Sequence, residues 1–225
     1  MTELQKIERV KILCDPALDV KIRKDIVNNL SGAVFSHQGK YLWLGTDELV
    51  AIERFTRLEN SPGLFGEHQR FYLKNSIDGF DEQQGEVDVE GLDYSDGYLW
   101  VIGSHSSKRK KVEIEADKFK IEGKELKKVV RQENRYLLAR IPINEAGELD
   151  NKSAQRGWLS RDGSSNSLTK ALATDEYLDF AQTIERNDRS SLPGEEFYFY
   201  LPSKENGFDI EGLAVRGNKV AIGLR

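Results

Sequence analysis

The sequence predicts a mainly β fold, a β-propeller-like series of antiparallel hairpins or blades with short helical insertions. Two short apolar runs around a glycine-containing turn occur at residues 30–45, again at 91–103 and again at 212–223. The lead-in Asp-x-Glu-Gly-Leu stands before both later hairpins. The first glycines of the three hairpins are 59 and 121 residues apart, so the second interval is nearly twice the first. Such spacing favours a repeat architecture with one sheet per blade.

The alternative is an ordinary antiparallel protein, since any such fold contains several similar hairpins. The recurring lead-in favours the repeat interpretation. A chain of 225 residues is long enough for one large domain. We therefore expect a single β-propeller-like domain over residues 1–225, either complete or the N-terminal part of a longer domain.

The elements outside the hairpins are less regular. Residues 7–14 alternate in polarity and predict a strand that Asp15-Pro16 ends, while residues 17–28 are charged and ambiguous. Residues 135–143 predict another strand, with Pro142 favouring an edge. Residues 197–201 form an aromatic strand stopped by Pro202.

Short helices are predicted in the long second interval. The segments are Glu122–Glu133, a helix capped by Ser167 that runs through Thr174, and one capped by Thr174 that covers Asp175–Ile184. These insertions between residues 104 and 195 would decorate the β framework. The interval also leaves room for a degenerate further blade.

Composition excludes several classes of protein. Thirty-three basic and 38 acidic residues give a net charge of −5, which offers no general field for nucleic acid or anionic lipid. Cys14 is the single cysteine, so an intrachain disulfide and a multi-cysteine metal site are both excluded. A free thiol and the polar N-terminal residues predict a cytoplasmic protein without a membrane segment.

The two lead-ins supply the first candidate site. Asp88 and Glu90 stand two residues apart, as do Asp209 and Glu211, and alternate residues of a strand share a face. If both strands line one axis, four carboxylates converge and need a counter-charge, which Ca²⁺, an arginine or a shared proton would provide. The alternative is structural, with each Glu accepting backbone N–H bonds where strands cross.

A second constellation follows the closing glycines of the hairpins, where Asp47, His105 and Arg225 take matching places. Histidine is the usual general acid or base near neutral pH, so His105 is the candidate catalytic residue. Hydroxyl, imidazole and cationic groups together suit an anion. The predicted anion site consists of Ser104, His105, Lys108, Arg109 and Arg225. The alternative is a solvated basic loop.

Four segments carry a family resemblance: residues 42–48, 88–94, 102–106 and 203–213. Over about Leu30 to Arg225 the chain resembles a bacterial family catalogued only as a domain of unknown function, number 3616. Its Glu-Gly-Leu lead-in is similar, more weakly, to that of the esterase-like phytase propellers. The first resemblance implies a fold and no established activity. The family pattern continues past the last hairpin, whereas this chain stops at Leu224-Arg225.

Three functions are compatible with these features. The first is a module that binds a cation or small-molecule ligand at the acidic axial site. The second is a phytase-like, metal-assisted phosphoesterase, and the third is a protein-interaction scaffold. The sequence contains no nucleophile elbow, P-loop or zinc-protease motif, which lowers the expectation of a common enzyme class. No nucleic-acid or membrane partner is expected.

The last hairpin leaves an unpaired sheet edge at the end of the sequence. Three arrangements would resolve it: closure of the ring by the strand at residues 7–14, a further C-terminal segment, or an oligomer formed edge to edge.

Overall fold

The structure is a computed structural model that describes residues 9–59, 61, 63–109, 129–130, 132–161, 166–173, 202–205 and 207–225. Most of these residues lie in β-strands, as predicted, and the strands form two larger sheets and two strand pairs. In this part of the chain no helix is long and apolar enough to cross a membrane.

The first sheet consists of strands β1 to β5. Their bounds are β1 Lys11–Ile12, β2 Leu30–Ser36, β3 Tyr41–Thr46, β4 Ala51–Arg57 and β5 Leu64–Tyr72. Strands β2 to β5 pair in chain order and antiparallel, while β1 lies parallel to β5 at the outer edge. Helix α1, Val20–Asn28, packs across β2 and β3, and the side chain of Asp19 caps its N-terminus.

The second sheet and the remaining elements follow. Their bounds are β6 Val89–Ser95, β7 Tyr98–Gly103, β8 Lys108–Arg109, β9 Val129–Val130, β10 Leu138–Pro142, β11 Gly157–Trp158, α2 Ser167–Ala173, β12 Ile210–Arg216 and β13 Lys219–Leu224. The second sheet has the antiparallel order β11-β10-β7-β6. Strands β8 and β9 form one separate pair, and β12 and β13 form another.

The three predicted hairpins are present as β2–β3, β6–β7 and β12–β13. Each contains the same irregularity, a bulge at the second residue of its first strand. The extra residues are Ser31, Glu90 and Glu211. A bulge leaves its extra residue outside the ladder and re-aims its side chain. The three hairpins therefore present equivalent residues at equivalent places.

The sheets pack in a propeller-like arrangement, with β6 in contact with both β2 and β12. The largest core lies between the first two sheets, where Trp43, Ile52 and Leu99 are fully buried. A smaller core, around Ile102 and Ile210, joins the second sheet to the pair β12–β13, which is called the third sheet below. The carboxylate of Asp93 on β6 also accepts a hydrogen bond from the backbone of Val215 on β12. Burial of apolar side chains between sheets is the main stabilising contribution.

A third core lies on the opposite face of the first sheet. Helix α1 covers this face, and Ile26 of the helix packs with Leu44 and Phe55 of the sheet. The charged segment 17–28, ambiguous in sequence, is thus helical from Val20 to Asn28, where the buried Ile26 and the partly buried Ile22, four residues apart, pack against the sheet.

The N-terminal strand differs from its prediction. Of the predicted strand 7–14, residues 9–14 are described and only Lys11–Ile12 are in a strand, which pairs with β5 of the first sheet and not with the terminal hairpin. Of the three arrangements considered for the sheet edge, closure by this strand is therefore not the one that the structure has. In this structure β1 extends the outer edge of the first sheet instead.

Several predicted elements of the long interval also change. Residues 133–136 form a 3-10 turn before β10, so the strand starts later than predicted. Strand β10 lies between β7 and β11, but Pro142 extends beyond the short β11. Strands β10 and β11 complete the second sheet, and the described part of this interval contains no separate blade.

The helix predictions have mixed outcomes. Helix α2 occurs near the predicted place, but Asn166 caps it in place of Ser167, since its side-chain oxygen accepts from the N–H of Thr169. Most of Glu122–Glu133 lies outside the described residues, and Val129–Val130 are in strand β9. The predicted helix 175–184 and strand 197–201 also lie outside the described residues.

Glycine allows the first strands of the three hairpins to approach closely. A Cβ atom on Gly91 would lie 2.7 Å from the backbone nitrogen of Leu213 and 2.9 Å from Ile102. The equivalent Gly212 has no neighbouring atom within 4 Å of such a position. The contact of β6 with β12 therefore leaves no room for a side chain at Gly91, whereas a side chain at Gly212 would meet no neighbouring atom.

We expect Gly91→Ala to lower the free energy of unfolding by about 1 to 3 kcal/mol, because the added methyl overpacks a backbone contact. The matched control is Gly212→Ala, which should be neutral or stabilising by about 0.5 kcal/mol through the unfolded state. Urea unfolding of both variants tests this. Equal free energies for the two variants would contradict the close approach of β6 and β12.

Candidate functional site

The first residues of the three hairpins surround one pocket of about 820 Å³. Its described lining is strongly charged, with seven acidic and four basic residues. These are Asp47, Glu48, Glu86, Asp88, Glu90, Asp209 and Glu211, with Lys108, Arg135, Lys204 and Arg225. All four acidic residues predicted from the lead-ins line this pocket, including Glu90 and Glu211 from different hairpins.

Strand alternation is not the reason that Asp88 and Glu90 converge. Asp88 precedes β6 and has a left-handed backbone conformation with φ 55°. Glu90 is the bulged residue of β6, so it is displaced from the regular ladder. The predicted convergence is thus present in the pocket lining, but two departures from regular strand geometry produce it.

The backbone pairing identifies which residues are equivalent. The N–H groups of Asp47, Ser104 and Arg225 donate to the carbonyl oxygens of Asn29, Asp88 and Asp209, respectively. Each bond closes a hairpin at its open end. Ser104, and not His105, therefore occupies the place of Asp47 and Arg225. The predicted equivalence of His105 is wrong by one residue, because Gly103 pairs with Val89 and corresponds to Thr46, not to Gly45.

His105 is buried in the protein and does not line the pocket. Its backbone is left-handed, with φ 53°, and its exposed fraction is zero. Nδ1–H donates to the carbonyl of Gly103 at 2.8 Å, and Nε2 accepts from the amide of Asn166 at 2.8 Å. Burial lowers the pKa of His105 to about 4, which keeps the ring neutral. Its catalytic role stays a prediction that this arrangement does not favour.

Arg135 pairs with the acidic residues that precede β6, on the second hairpin's side of the pocket. Only 5% of this residue is exposed, and its guanidinium pairs with Asp88 at 2.8 Å and Glu86 at 2.5 Å. It also donates to the hydroxyl of Ser106 at 2.7 Å. Burial opposes ionisation of Glu86, but Lys108 and Arg135 hold the pKa of its carboxyl below the usual value.

The pKa of Asp88 is shifted in the opposite direction to that of Glu86. Burial raises it, and the nearby Arg135 limits the rise. Asp88 therefore carries a desolvation cost that one arginine does not fully offset.

Arg225 supplies the counter-charge on the terminal hairpin. Its guanidinium contacts Asp209 at 2.5 Å and Glu211 at 2.8 Å. Burial raises the pKa of Asp209 to about 6 even with this arginine beside it. The arginine predicted as an anion ligand thus neutralises the second lead-in pair.

Glu90 has no such partner among the residues that the structure describes. Burial, with the charges of Asp88, Asp47, Glu211 and Asp209, raises the pKa of Glu90 to about 8. Asp47 is close by, and its buried Oδ1 has no hydrogen-bond partner within the described ranges. Among the described residues, these two are the half-buried carboxylates of the pocket without an arginine or lysine partner.

Asp47, Asp88 and Glu90 each place one oxygen so that all three lie within 4.8 Å of one another. Oxygens on opposite sides of Ca²⁺ are about 5 Å apart at normal bond lengths. The three carboxylates could therefore share one cation without a large rearrangement.

The predicted anion ligands do not converge as a group. Lys108 and Arg225 line the pocket, whereas Ser104 is fully buried beneath it and bonded to Ser106. Arg109 is in strand β8, and the structure describes its backbone but not its side chain. Residues 104–107 are therefore buried in the protein next to the pocket and do not line it.

Sequence reasoning did not identify Asp47 as a partner of the lead-in carboxylates. The sequence signal that could have identified it is Asn29-Leu30-Ser31-Gly32, a divergent copy of Asp-x-Glu-Gly. This copy indicates that the first hairpin lines the pocket together with the other two. Arg135 and Lys204 were also missed, since nothing in their local sequence indicates a contact with residues so distant in the chain.

Without divalent cations, the pH dependence of stability should report the state of Glu90. Its pKa is about 8 in the folded protein against an ordinary value of 4.5. Between these values the folded protein retains a proton that the unfolded chain has lost, so this contribution to stability is lost as pH rises through about 8. Urea unfolding at pH 5, 7 and 9 in EDTA should show wild type losing stability relative to Glu90→Gln.

The control is Glu145→Gln, because Glu145 is exposed and remote from the pocket lining. It should follow wild type at each pH. Parallel pH profiles for wild type and Glu90→Gln would show that Glu90 is not held in the protonated form.

Comparison with solved structures gives a weak match to the periplasmic gluconolactonase PpgL of Pseudomonas aeruginosa. The identity is 15% and the TM-score 0.25, and the match covers 55% of this chain and 38% of the gluconolactonase chain. That protein is a lactonase and not a phytase. A comparison with curated proteins finds no match.

The family resemblance carried by the four sequence segments is tested by the comparison with family models. A model described as "Protein of unknown function (DUF3616)" matches residues 29–225, from the start of the first hairpin to the end of the third. The match covers all three walls of the pocket and most of the chain. The protein belongs to the family of unknown function DUF3616.

Proposed function

We propose that this propeller-like domain is a binding module for a hard divalent cation, with Ca²⁺ as the first candidate. The cation would bind in the pocket of about 820 Å³ lined by the three hairpins, which is called the axial pocket from here on. The observation that carries the proposal is the cluster of Asp47, Asp88 and Glu90, whose oxygens lie within 4.8 Å of one another. Three carboxylates at such distances require a positive charge or a proton to relieve their repulsion. A cation would supply that charge to all three at once.

The arginines of the pocket are already engaged elsewhere. Arg135 pairs with Glu86 and Asp88, and Arg225 pairs with Asp209 and Glu211. Within the described ranges, neither contacts Glu90. A proton on Glu90 relieves the repulsion in the absence of an ion, and a cation would displace it.

The donor set favours a hard cation. All three candidate ligands are carboxylates, and the neighbouring Glu48 and Ser31 add only oxygen atoms to the lining. Ca²⁺ takes six to eight oxygen ligands, with water completing an open site. Thiolate and imidazole, which favour zinc, are absent from the described lining.

This ligand set differs from the four residues predicted by sequence. Asp88 and Glu90 remain, Asp47 joins them, and Asp209 and Glu211 are compensated by Arg225. We propose that the last two contribute to the field of the site and do not coordinate the ion directly.

A metal-assisted phosphoesterase is the second candidate function. It is favoured by four basic residues in the same pocket as the carboxylate cluster, an arrangement that could hold a phosphate beside a metal ion. A cation at the cluster would polarise the ester or activate water.

Calcium binding should stabilise the fold by mass action. At one hundred times the dissociation constant, the added free energy of unfolding is about 2.7 kcal/mol. We expect a higher melting temperature with CaCl₂ than with EDTA, and a smaller shift for Glu90→Gln. Isothermal titration calorimetry gives the affinity, which should fall at least about tenfold in the variant.

Glu145→Gln is again the matched control and should bind like wild type. An unchanged melting temperature together with no heat of binding would contradict the proposed function. Hydrolysis of phenyl phosphate by wild type with Ca²⁺, lost in Glu90→Gln, would establish the second candidate. Calcium binding without hydrolysis would support the binding module and exclude the phosphoesterase for this substrate.

A further inference from the structure

A second cavity, of about 440 Å³, adjoins the axial pocket. Its described lining consists of Ser203, Lys204, Gly207 and Arg225, and the first, second and fourth of these also line the axial pocket. This lining contains two positive charges and a hydroxyl but no carboxylate. The chemistry of the second cavity is therefore opposite to that of the carboxylate cluster beside it.

Lys204 is the uncommitted charge of the second cavity. Its side chain is exposed and makes no hydrogen bond or ion pair with any residue that the structure describes. Lysine usually contacts anions as a flexible point charge, so it can reach a bound group without reorganising the fold.

The backbone around Lys204 is held in place on both sides. The N–H of Ser203 donates to the carbonyl of Ser107 at 3.1 Å, and the N–H of Gly207 donates to the carbonyl of Pro202 at 3.1 Å. Ser203 itself is only partly exposed. The segment is thus tied to the chain that follows β7, and its two polar side chains stay at the wall between the cavities.

Arg225 links the two cavities. Its terminal nitrogens contact Asp209 and Glu211, yet about half of its side chain is exposed and lines both cavities. A ligand in the second cavity would contact a guanidinium that is positioned by two carboxylates. Guanidinium and ammonium groups together recognise phosphate and carboxylate oxygens.

The neighbouring carboxylates oppose anion binding while the cluster holds no ion. The axial lining has three more acidic than basic residues among those described, so its field repels a second negative charge. A divalent cation at the cluster would weaken this repulsion. An anion that binds beside the cation would also provide oxygen atoms toward it.

We propose that Ser203, Lys204 and Arg225 form a subsite for an oxyanion group, phosphate or carboxylate, of a small molecule, and that a cation at Asp47, Asp88 and Glu90 strengthens its binding. The cation-dependent part rests on the proposed function, whereas the subsite rests on the second cavity. The ligand class is therefore a small organic anion that also coordinates a divalent cation.

Phenyl phosphate and benzoate are suitable probes, since they place two different oxyanions on the same ring, and phenol is the uncharged control. Calorimetric titration of each into wild type, with CaCl₂ and separately with EDTA, measures the affinity and its coupling to calcium. We expect binding of at least one anion, no binding of phenol, and affinity about fivefold or more higher with calcium. The anion preferred identifies the group that the subsite takes.

Lys204→Gln should weaken anion binding about tenfold, as expected for loss of a charged contact, and should not weaken calcium binding, because it removes a positive charge from the pocket lining. The control is Lys219→Gln, because Lys219 is exposed on the same terminal part of the chain but lines neither cavity. It should bind the anion like wild type. Both variants change an exposed side chain, so folding should be preserved, and circular dichroism checks it.

Three outcomes decide between the parts of the proposal. Calcium binding without anion binding in either condition would overturn the subsite and leave the proposed function intact. Anion binding that Lys204→Gln does not weaken would also overturn it. Anion binding in EDTA, weakened by Lys204→Gln but unaffected by calcium, would support the subsite and overturn its coupling to the cation.

Discussion

The structure depends on the close approach of three inner strands at their first residues. Strand β6 contacts β2 on one side and β12 on the other, and the contact with β12 is so close that Gly91 has no room for a side chain. Burial of Ile102 and Ile210 holds the second and third sheets together. The same packing brings the polar residues at the start of each strand to one axis. Acidic convergence is therefore a consequence of the hydrophobic packing of sheets.

The electrostatic cost of this convergence is met differently in each hairpin. In the terminal hairpin Arg225, which directly follows β13, pairs with Asp209 and Glu211. In the second hairpin Arg135 comes from a distant turn, and it compensates Glu86 and Asp88 but not Glu90. The first hairpin contributes Ser31 in place of a glutamate, and its Asp47, a member of the cluster, has no arginine partner among the described residues. The unequal compensation concentrates the unrelieved negative charge between the first and second hairpins.

Sequence reasoning could predict the hairpins and the convergence of the lead-ins because both rest on local patterns. It gave a wrong reason for the convergence, since a β-bulge and a left-handed Asp88 replace the regular alternation. It also assigned His105 to the wrong equivalent position. The sequence comparison matched Gly103 to Gly45, whereas the strand pairing matches Gly103 to Thr46. The one-residue shift makes Ser104 the equivalent of Asp47 and Arg225, and both Ser104 and His105 are fully buried, so the second hairpin contributes no pocket residue at this place. Arg135 and Lys204 could not be predicted, because only folding brings them to the axis.

The origin of the charged residues links the site to the integrity of the fold. The pocket takes Asp47 from the first sheet, Glu90 from the second and Arg225 from the end of the third, so it exists only while all three are packed together. Charges at such a junction oppose the packing that the apolar cores favour, and a ligand that neutralises them would stabilise the junction as well as fill the pocket. A bound cation would act between the first two sheets, where Asp47 meets Asp88 and Glu90. A bound oxyanion would act at the third sheet through Arg225. The two proposed ligands would therefore reinforce different contacts of the same axis.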